Sequence, residues 1–485
     1  MTKRMGIILI LSMIIIIITA CASGTSDDTP ANVTGNDETT TAATEETTVN
    51  RLDALGTSDF GGREFHIFDA NDHPDMHVNM PADEQNGDII NDALYTRDAF
   101  MEEKYNLDIK YTQISMAAEA CRVLANTVQA GDAVYDMVIG PLPGNALGAS
   151  AVNGVLMDLI GIPHISLEEN WWSPLVYNSL RLNNKLYYTA SDISPAIYQG
   201  VASLYLNKRI YADYNMTTDY YGLVYDGKWT LDVLESMTKD MRLDLDNDGV
   251  YKMSKDFFGF IYEPMTLATD SFLIGAGIDL IHVNKEGKIE IDLVNEKVLG
   301  TIETLSRIME PYVNDADLYG LNRGSFKNGL SFIMQHYAET ALVHLRDMED
   351  DYAILPTPKY DEQQETYRSM INSWVDAFIA VPITADPEFS GFVMEALAFY
   401  SFENIRPLVY TITFQDKLTR DEDSVNMLEI IFNTTCLDFS DIYAFGGIPN
   451  ILFQAIVNDK PFASEYAAAE EKMWAEVDKF IESWG

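Results

Sequence analysis

Between Glu64 and Gly144 the hydrophobic pattern switches from strand period to helix period and back, twice, and this alternation narrows the possible folds more than any other feature. Glu64-Phe65-His66-Ile67-Phe68 reads as a strand, and Ile90, Ala93, Leu94, Phe100 and Met101 then recur at helical spacing. Leu107-Asp108-Ile109-Lys110-Tyr111 alternates again, a helix is expected around Met116 to Val128, and Tyr135 to Ile139 forms a third strand running into Gly140-Pro141-Leu142-Pro143-Gly144. A strand-helix-strand-helix-strand order predicts an α/β fold with a mainly parallel sheet and helices on both faces. Ligands of such sheets meet the loops at the carboxyl ends of the strands, which marks Asp69 to Asp72 and Gly140 to Gly144.

Further along, Thr230 is an N-cap candidate for a helix containing Val233, Leu234 and Met237. Trp229 then precedes the cap and Leu234 lies where a hydrophobic staple would meet it, so Trp229 is expected to fix the helix rather than touch a ligand.

Composition bounds the partners. A formal charge of -43 repels nucleic-acid phosphates and anionic headgroups, so no nucleic-acid partner is expected and a neutral or cationic ligand fits more easily than a polyanion. From residue 59 on, about 430 residues remain, enough for two domains of ordinary size. Cys121 and Cys436 are far apart in sequence, and Cys121 falls in an apolar helical pattern with Leu124 and Val128; two free buried thiols are expected.

The N-terminus carries a positive start at Lys3 and Arg4, an apolar run from Met5 to Ile18 too short for an ordinary span, and the small pair Thr19-Ala20 before Cys21. Ile18-Thr19-Ala20-Cys21 resembles the lipobox of bacterial lipoproteins, which implies a signal peptide over residues 1–20, acylation of Cys21 and a body held to the outer face of the cell membrane by lipid alone. An ordinary secretory cleavage site is the other reading. Residues 21–58, rich in Thr, Asp and Glu, bury too little apolar surface to order themselves and are expected to be a disordered tether.

A second resemblance rests on the order of several short motifs: the lipobox, the spacer, Asn91-Asp92-Ala93 with Glu102-Glu103-Lys104-Tyr105, Leu204 to Lys208, the Trp229-Thr230 start, and Tyr352 to Pro356 followed by Pro358 to Glu362. Together they look like an extracellular solute-binding protein of family 1, the carbohydrate-binding lipoproteins of bacterial ABC importers. That resemblance implies a two-lobed periplasmic-binding-protein-like fold with a hinge and multiple chain crossings. It places the N-terminal lobe at 59–198 plus 352–402 and the C-terminal lobe at 199–351 plus 403–485. It also implies a monomer that captures a sugar or oligosaccharide by hinge closure and delivers it to ABC permease subunits. Peptide or another solute is the alternative ligand, since the same architecture serves these too.

Sugar sites pair flat aromatic rings with hydrogen-bonding side chains. Trp171 and Trp172, beside Glu168, Glu169 and Asn170, have that chemistry, with one ring expected to be buried and the other available. Trp374, beside Asn372 and Asp376, reads equally as a ligand platform or as a core aromatic before Ala377 to Val381. Tyr198 lies at the first crossing, Asp69 and Asn71 at the first strand end, and His336 after the apolar run Leu330 to Met334, where a lone histidine can also be structural.

Asp244-Leu245-Asp246-Asn247-Asp248-Gly249 has the opening of an EF-hand loop, and Val250 would add its carbonyl. Lys255 replaces the bidentate glutamate at the twelfth position, so a ligand would have to come from Asp256 or a distant acid. A structural Ca2+ is expected, with a plain acidic turn as the other reading.

A secreted glycan-active enzyme would need a carboxylate pair across a cleft, which 75 acidic residues leave open. The sequence shows no serine-nucleophile elbow, no His-Glu zinc helix and no phosphate-binding glycine loop. A non-enzymatic binding protein is therefore expected, with no catalytic residue and no catalytic cofactor.

Overall fold

Central strands form on short apolar runs buried along their whole length, such as Met137–Gly140 and Phe257–Ile261, while Leu107–Ile114 begins with alternation. The computed structural model describes residues 51–74, 76–284, 286–309, 321–415 and 422–484, so Cys21, the signal segment and most of the tether lie outside it. In chain order the strands are β1 (Arg63–Ala70), β2 (Leu107–Ile114), β3 (Met137–Gly140), β4 (Ala202–Asn207), β5 (Arg242–Leu243), β6 (Phe257–Ile261), β7 (His282–Val283), β8 (Ile289–Glu290), β9 (Ser331–Tyr337), β10 (Tyr352–Leu355), β11 (Ser369–Met370), β12 (Phe378–Ala380) and β13 (Thr435–Cys436).

The first sheet has the order β12-β3-β1-β2. β1 runs parallel to β2, with Phe65 opposite Ile109, and parallel to β3, with Ile67 opposite Met137; β12 joins antiparallel at the edge. This is the parallel core expected from the alternation. Its first crossover helix, Ile89–Tyr105, starts because the Asp88 carboxylate accepts the N–H groups of Ile90 and Asn91, and it stops where Asn106 turns left-handed at φ 49°.

The second sheet has the order β10-β4-β9-β6-β5, and only β6 and β9 run parallel in it. The two sheets are the cores of two lobes. β10 pairs with β4, Ala353 opposite Leu206, so Tyr352–Leu355 belongs to the second lobe and not to the first as the sequence suggested. The helix Arg406–Gln415 packs on Ile89–Tyr105, so the first lobe also continues past residue 402. The folded body begins before residue 59 as well: Arg51–Leu55 is helical, Leu52 is buried, and Arg51 binds Glu395 at 2.9 Å.

The lobes are joined by chain segments lying side by side. Val201 bridges Ile371, Asn372 donates its backbone N–H to the Gly200 carbonyl at 2.8 Å, and Ile371 donates to Cys436 at 2.9 Å. A Cβ on Gly200 would stand 3.0 Å from the Val375 side chain, which is why this crossing carries glycine.

Trp229 behaves as expected: it is fully buried and its indole N–H donates to the Pro356 carbonyl at 2.9 Å. Thr230 holds the cap position of helix Leu231–Thr238 without a side-chain cap bond; backbone bonds between Trp229, Leu231 and Lys359 fix that corner instead. Cys121 and Cys436 are free and buried, and burial pushes both thiols up to about 11. Among the described residues no helix is long and apolar enough to cross a membrane.

Candidate functional site

A cavity of about 300 Å³ opens between the lobes at the carboxyl ends of β1, β6 and β9, beside the crossing segment Asn372–Val375. The first lobe contributes the turn after β1. Met76 and His77 both donate their backbone N–H to the His73 carbonyl, at 2.9 and 2.8 Å, so this one turn brings the rings of His73 and His77 to 5.4 Å between centroids.

Asp69 and Asn71, expected to hold ligand, hold this turn instead. Asn71 accepts the His73 N–H and donates to the His77 carbonyl at 2.7 Å. Asn79 bridges Asp69 at 3.0 Å and the Asp376 carbonyl at 2.6 Å, and Gln113 donates to Asp69 at 2.6 Å. Burial pushes the Asp69 carboxyl up to about 6, against the pull of those three amides. Both residues are fully buried, one layer behind the cavity wall.

Asp376 is the centre of the first-lobe wall. Its Oδ2 accepts from His77 Nδ1 at 2.7 Å, His73 Nδ1 at 3.2 Å and the His73 backbone N–H at 3.2 Å. Burial works against its charge, but the two histidines hold its pKa below the usual carboxylate range. For His77, burial alone would favour the neutral ring, yet Asp376 and Glu339 outweigh it and raise the pKa to about 9.

The second lobe supplies His336 and Gln335 from the end of β9, Glu263 from the end of β6, and Glu339. His336 is 3 % exposed, with Nδ1 bonded to Thr340 Oγ1 at 2.6 Å and Nε2 at 3.4 Å from Glu263. Trp374 stands at the mouth, 41 % exposed, its backbone tied to the Asn372 side chain at 2.9 Å. Its exposure does not fit the core-aromatic reading of the sequence.

The remaining aromatics sit elsewhere. Trp171 and Trp172 both donate their indole N–H groups to Glu395, at 3.0 and 2.7 Å, and Trp172 is fully buried. Glu395 also accepts from Arg51 and from the Ser166 backbone, so four donors compensate a carboxylate with no solvent exposure. Tyr198 donates to Asp192 at 2.6 Å beside Arg406, and with Trp172 it lines a separate cavity of about 280 Å³. The interlobe cavity thus gathers Trp374 and His336 directly and Asp376 through its histidines, but not Trp171, Trp172 or Tyr198. His73, His77, Glu263, Gln335 and Glu339 were missed, although the spacing of His73 and His77 was visible right after the marked loop.

In the acidic loop, Asp244, Asp246 and Asp256 bring carboxylate oxygens within 4.8 Å of one another. Asp248 is instead paired with Lys252 at 3.0 Å, and its other oxygen accepts the Val250 N–H at 2.7 Å. Asp256 is fully buried and anchors the loop by accepting the N–H groups of Leu245 and Lys252.

No protein-family model matches the sequence, and no curated protein matches it. Solved structures do. A cyclo/maltodextrin-binding protein complexed with maltotetraose aligns with a TM-score of 0.57 at 14 % identity, covering 86 % of this chain and 97 % of its own. The maltose-binding periplasmic protein MalE of Listeria monocytogenes aligns with a TM-score of 0.57 at 12 % identity, covering 86 % and 98 %. The GacH receptor of Streptomyces glaucescens, solved unliganded and with acarbose, gives 0.52 at 12 %, covering 86 % and 99 %. The chain therefore has the two-lobed α/β fold of these binding proteins.

Proposed function

We propose that this protein is a non-enzymatic, lipid-anchored receptor that captures a sugar or oligosaccharide between its lobes on the extracytoplasmic side and passes it to an ABC permease. The observation that carries the reading is Trp374, a half-exposed aromatic at the mouth of an interlobe cavity whose walls set histidine, carboxylate and amide groups among apolar side chains such as Met265 and Leu267. A flat ring beside such groups suits the C–H face and hydroxyls of a pyranose. The solved proteins of this fold named above carry maltose, maltotetraose or acarbose, which supports a glycan over other solutes. Closure follows if ligand contacts both walls, because only differential affinity for the closed form shifts the population. A thermal-shift screen against mono- and oligosaccharides and short peptides tests the reading: a saturable shift with one glycan class and no hydrolysis supports it, and a shift with peptides alone overturns the choice of ligand.

We further propose a structural Ca2+ in the loop from Asp244, with Asp256 taking the place of the missing glutamate. The convergence of Asp244, Asp246 and Asp256 supports this, as does an Asp244 Oδ1 that is buried without a hydrogen bond. Lys255, 3.2 Å from Asp246, would have to swing out.

A further inference from the structure

We propose that the interlobe cleft holds a divalent d-block cation, zinc fitting best, on His73 Nδ1, His77 Nδ1 and the Asp376 carboxylate. The donor atoms of these three residues all lie within 4.8 Å of one another, and Asp376 Oδ2 is 3.2 Å from one imidazole nitrogen and 2.7 Å from the other. A zinc ion about 2.0–2.1 Å from its donors needs them roughly 3.3 Å apart: Asp376 and His73 already stand 3.2 Å apart, Asp376 and His77 at 2.7 Å would have to open, and the two imidazole nitrogens lie within 4.8 Å. Two imidazoles and one carboxylate form the mixed nitrogen and oxygen set that zinc accepts, and both histidines line the cavity.

One feature points to a bound cation rather than a simple hydrogen-bonded triad: Asp376 Oδ1 is buried on a side chain with no solvent exposure and accepts no hydrogen bond. His77 Nε2, the ring's other nitrogen, is buried and ion-paired with Glu339 Oε2 at 3.6 Å. Metal on Nδ1 leaves the proton on Nε2, aimed at that carboxylate, which is the outer-shell arrangement that orients a metal-binding histidine. The turn is also held in advance by Asn71 and Asn79, so binding orders little.

Glu339 belongs to the second lobe, whereas all three ligands come from the first lobe and the crossing. A cation on His77 therefore bears on the interlobe contact as well as on the cleft floor. The assignment does not depend on the ligand being a sugar, because it is read with the metal alone.

The test is calorimetric titration of the full, metal-stripped chain with ZnCl2 in the absence of any glycan, joined to zinc X-ray absorption of the loaded protein. The expected result is a saturable site with two imidazole scatterers, weakened at least ~10-fold by His73→Ala and by Asp376→Asn. His73 is partly exposed, so His73→Ala folds, and its melting curve without metal checks this. No saturable zinc binding by the wild type, an affinity unchanged in both variants, or a zinc spectrum without imidazole overturns the proposal.

Discussion

His77 and Glu339 face each other across the cleft at 3.6 Å, one from each lobe. Both are largely buried, and Glu339 is held below its ordinary pKa by His77, His336 and Arg323 although burial opposes this. The pair is therefore a charged contact whose formation depends on how closely the lobes approach. Glu339→Gln keeps an acceptor but removes the charge, which should weaken the interlobe contact by about 1–3 kcal/mol. Small-angle scattering of the ligand-free variant should give a larger radius of gyration; an unchanged radius would show that the pair does not hold the lobes.

Two tryptophans should separate stability from binding. Trp229 is fully buried with its indole bonded to Pro356, and Trp229→Ala should cost about 3–5 kcal/mol in denaturant unfolding. Trp374, exposed at the cavity mouth, should cost less than about 1 kcal/mol when truncated while weakening ligand binding more than Trp229→Ala does. Wild-type affinity in Trp374→Ala would remove that residue from the site.

Burial, and after it repulsion from Asp270 and Asp438, pushes the Asp441 carboxyl well above the carboxylate range, and burial with repulsion from Asp438 does the same to Asp270. Both oxygens of Asp441 are buried without a hydrogen bond. A carboxyl whose folded pKa lies above its unfolded value favours the folded state at low pH, and that contribution is lost as pH rises above about 4. Asp441→Asn should then raise the melting temperature at pH 7, with a smaller gain at pH 4. A lower melting temperature at pH 7 would contradict the ionisation argument.

The calcium loop makes a separate demand. In zinc-free protein supplied with calcium, chelation with EDTA should lower the melting temperature of the wild type, and Asp246→Ala should abolish the difference. Identical melting curves with and without EDTA would mean that Lys255 and Lys252 alone neutralise the loop.

The first sheet was legible because β1, β2 and β3 and their connecting helices announce themselves by local period. The second sheet was not, because its neighbours are distant in sequence: Tyr352–Leu355 is an apolar run that any sheet would bury, and only its pairing with β4 assigns it to a lobe. The site shows the same division. Trp374 has polar neighbours in sequence and lines the interlobe cavity, whereas Trp171 and Trp172 have Glu168, Glu169 and Asn170 beside them in sequence but bond to Glu395, 224 positions from Trp171. Asp376 was expected to touch ligand; the contacts of its buried carboxylate with His73 and His77 arise from a fold-level approach over 299 positions or more.

The central claim is that a glycan is held between the lobes, and a crystal structure of the protein grown with the glycan that shifts its melting temperature tests it most directly. The expected result is a sugar ring against Trp374 with hydroxyls toward the His336 and Glu263 wall. Density for the glycan in the cavity of Tyr198 and Arg406 instead, with the interlobe cavity filled only by water, would contradict it.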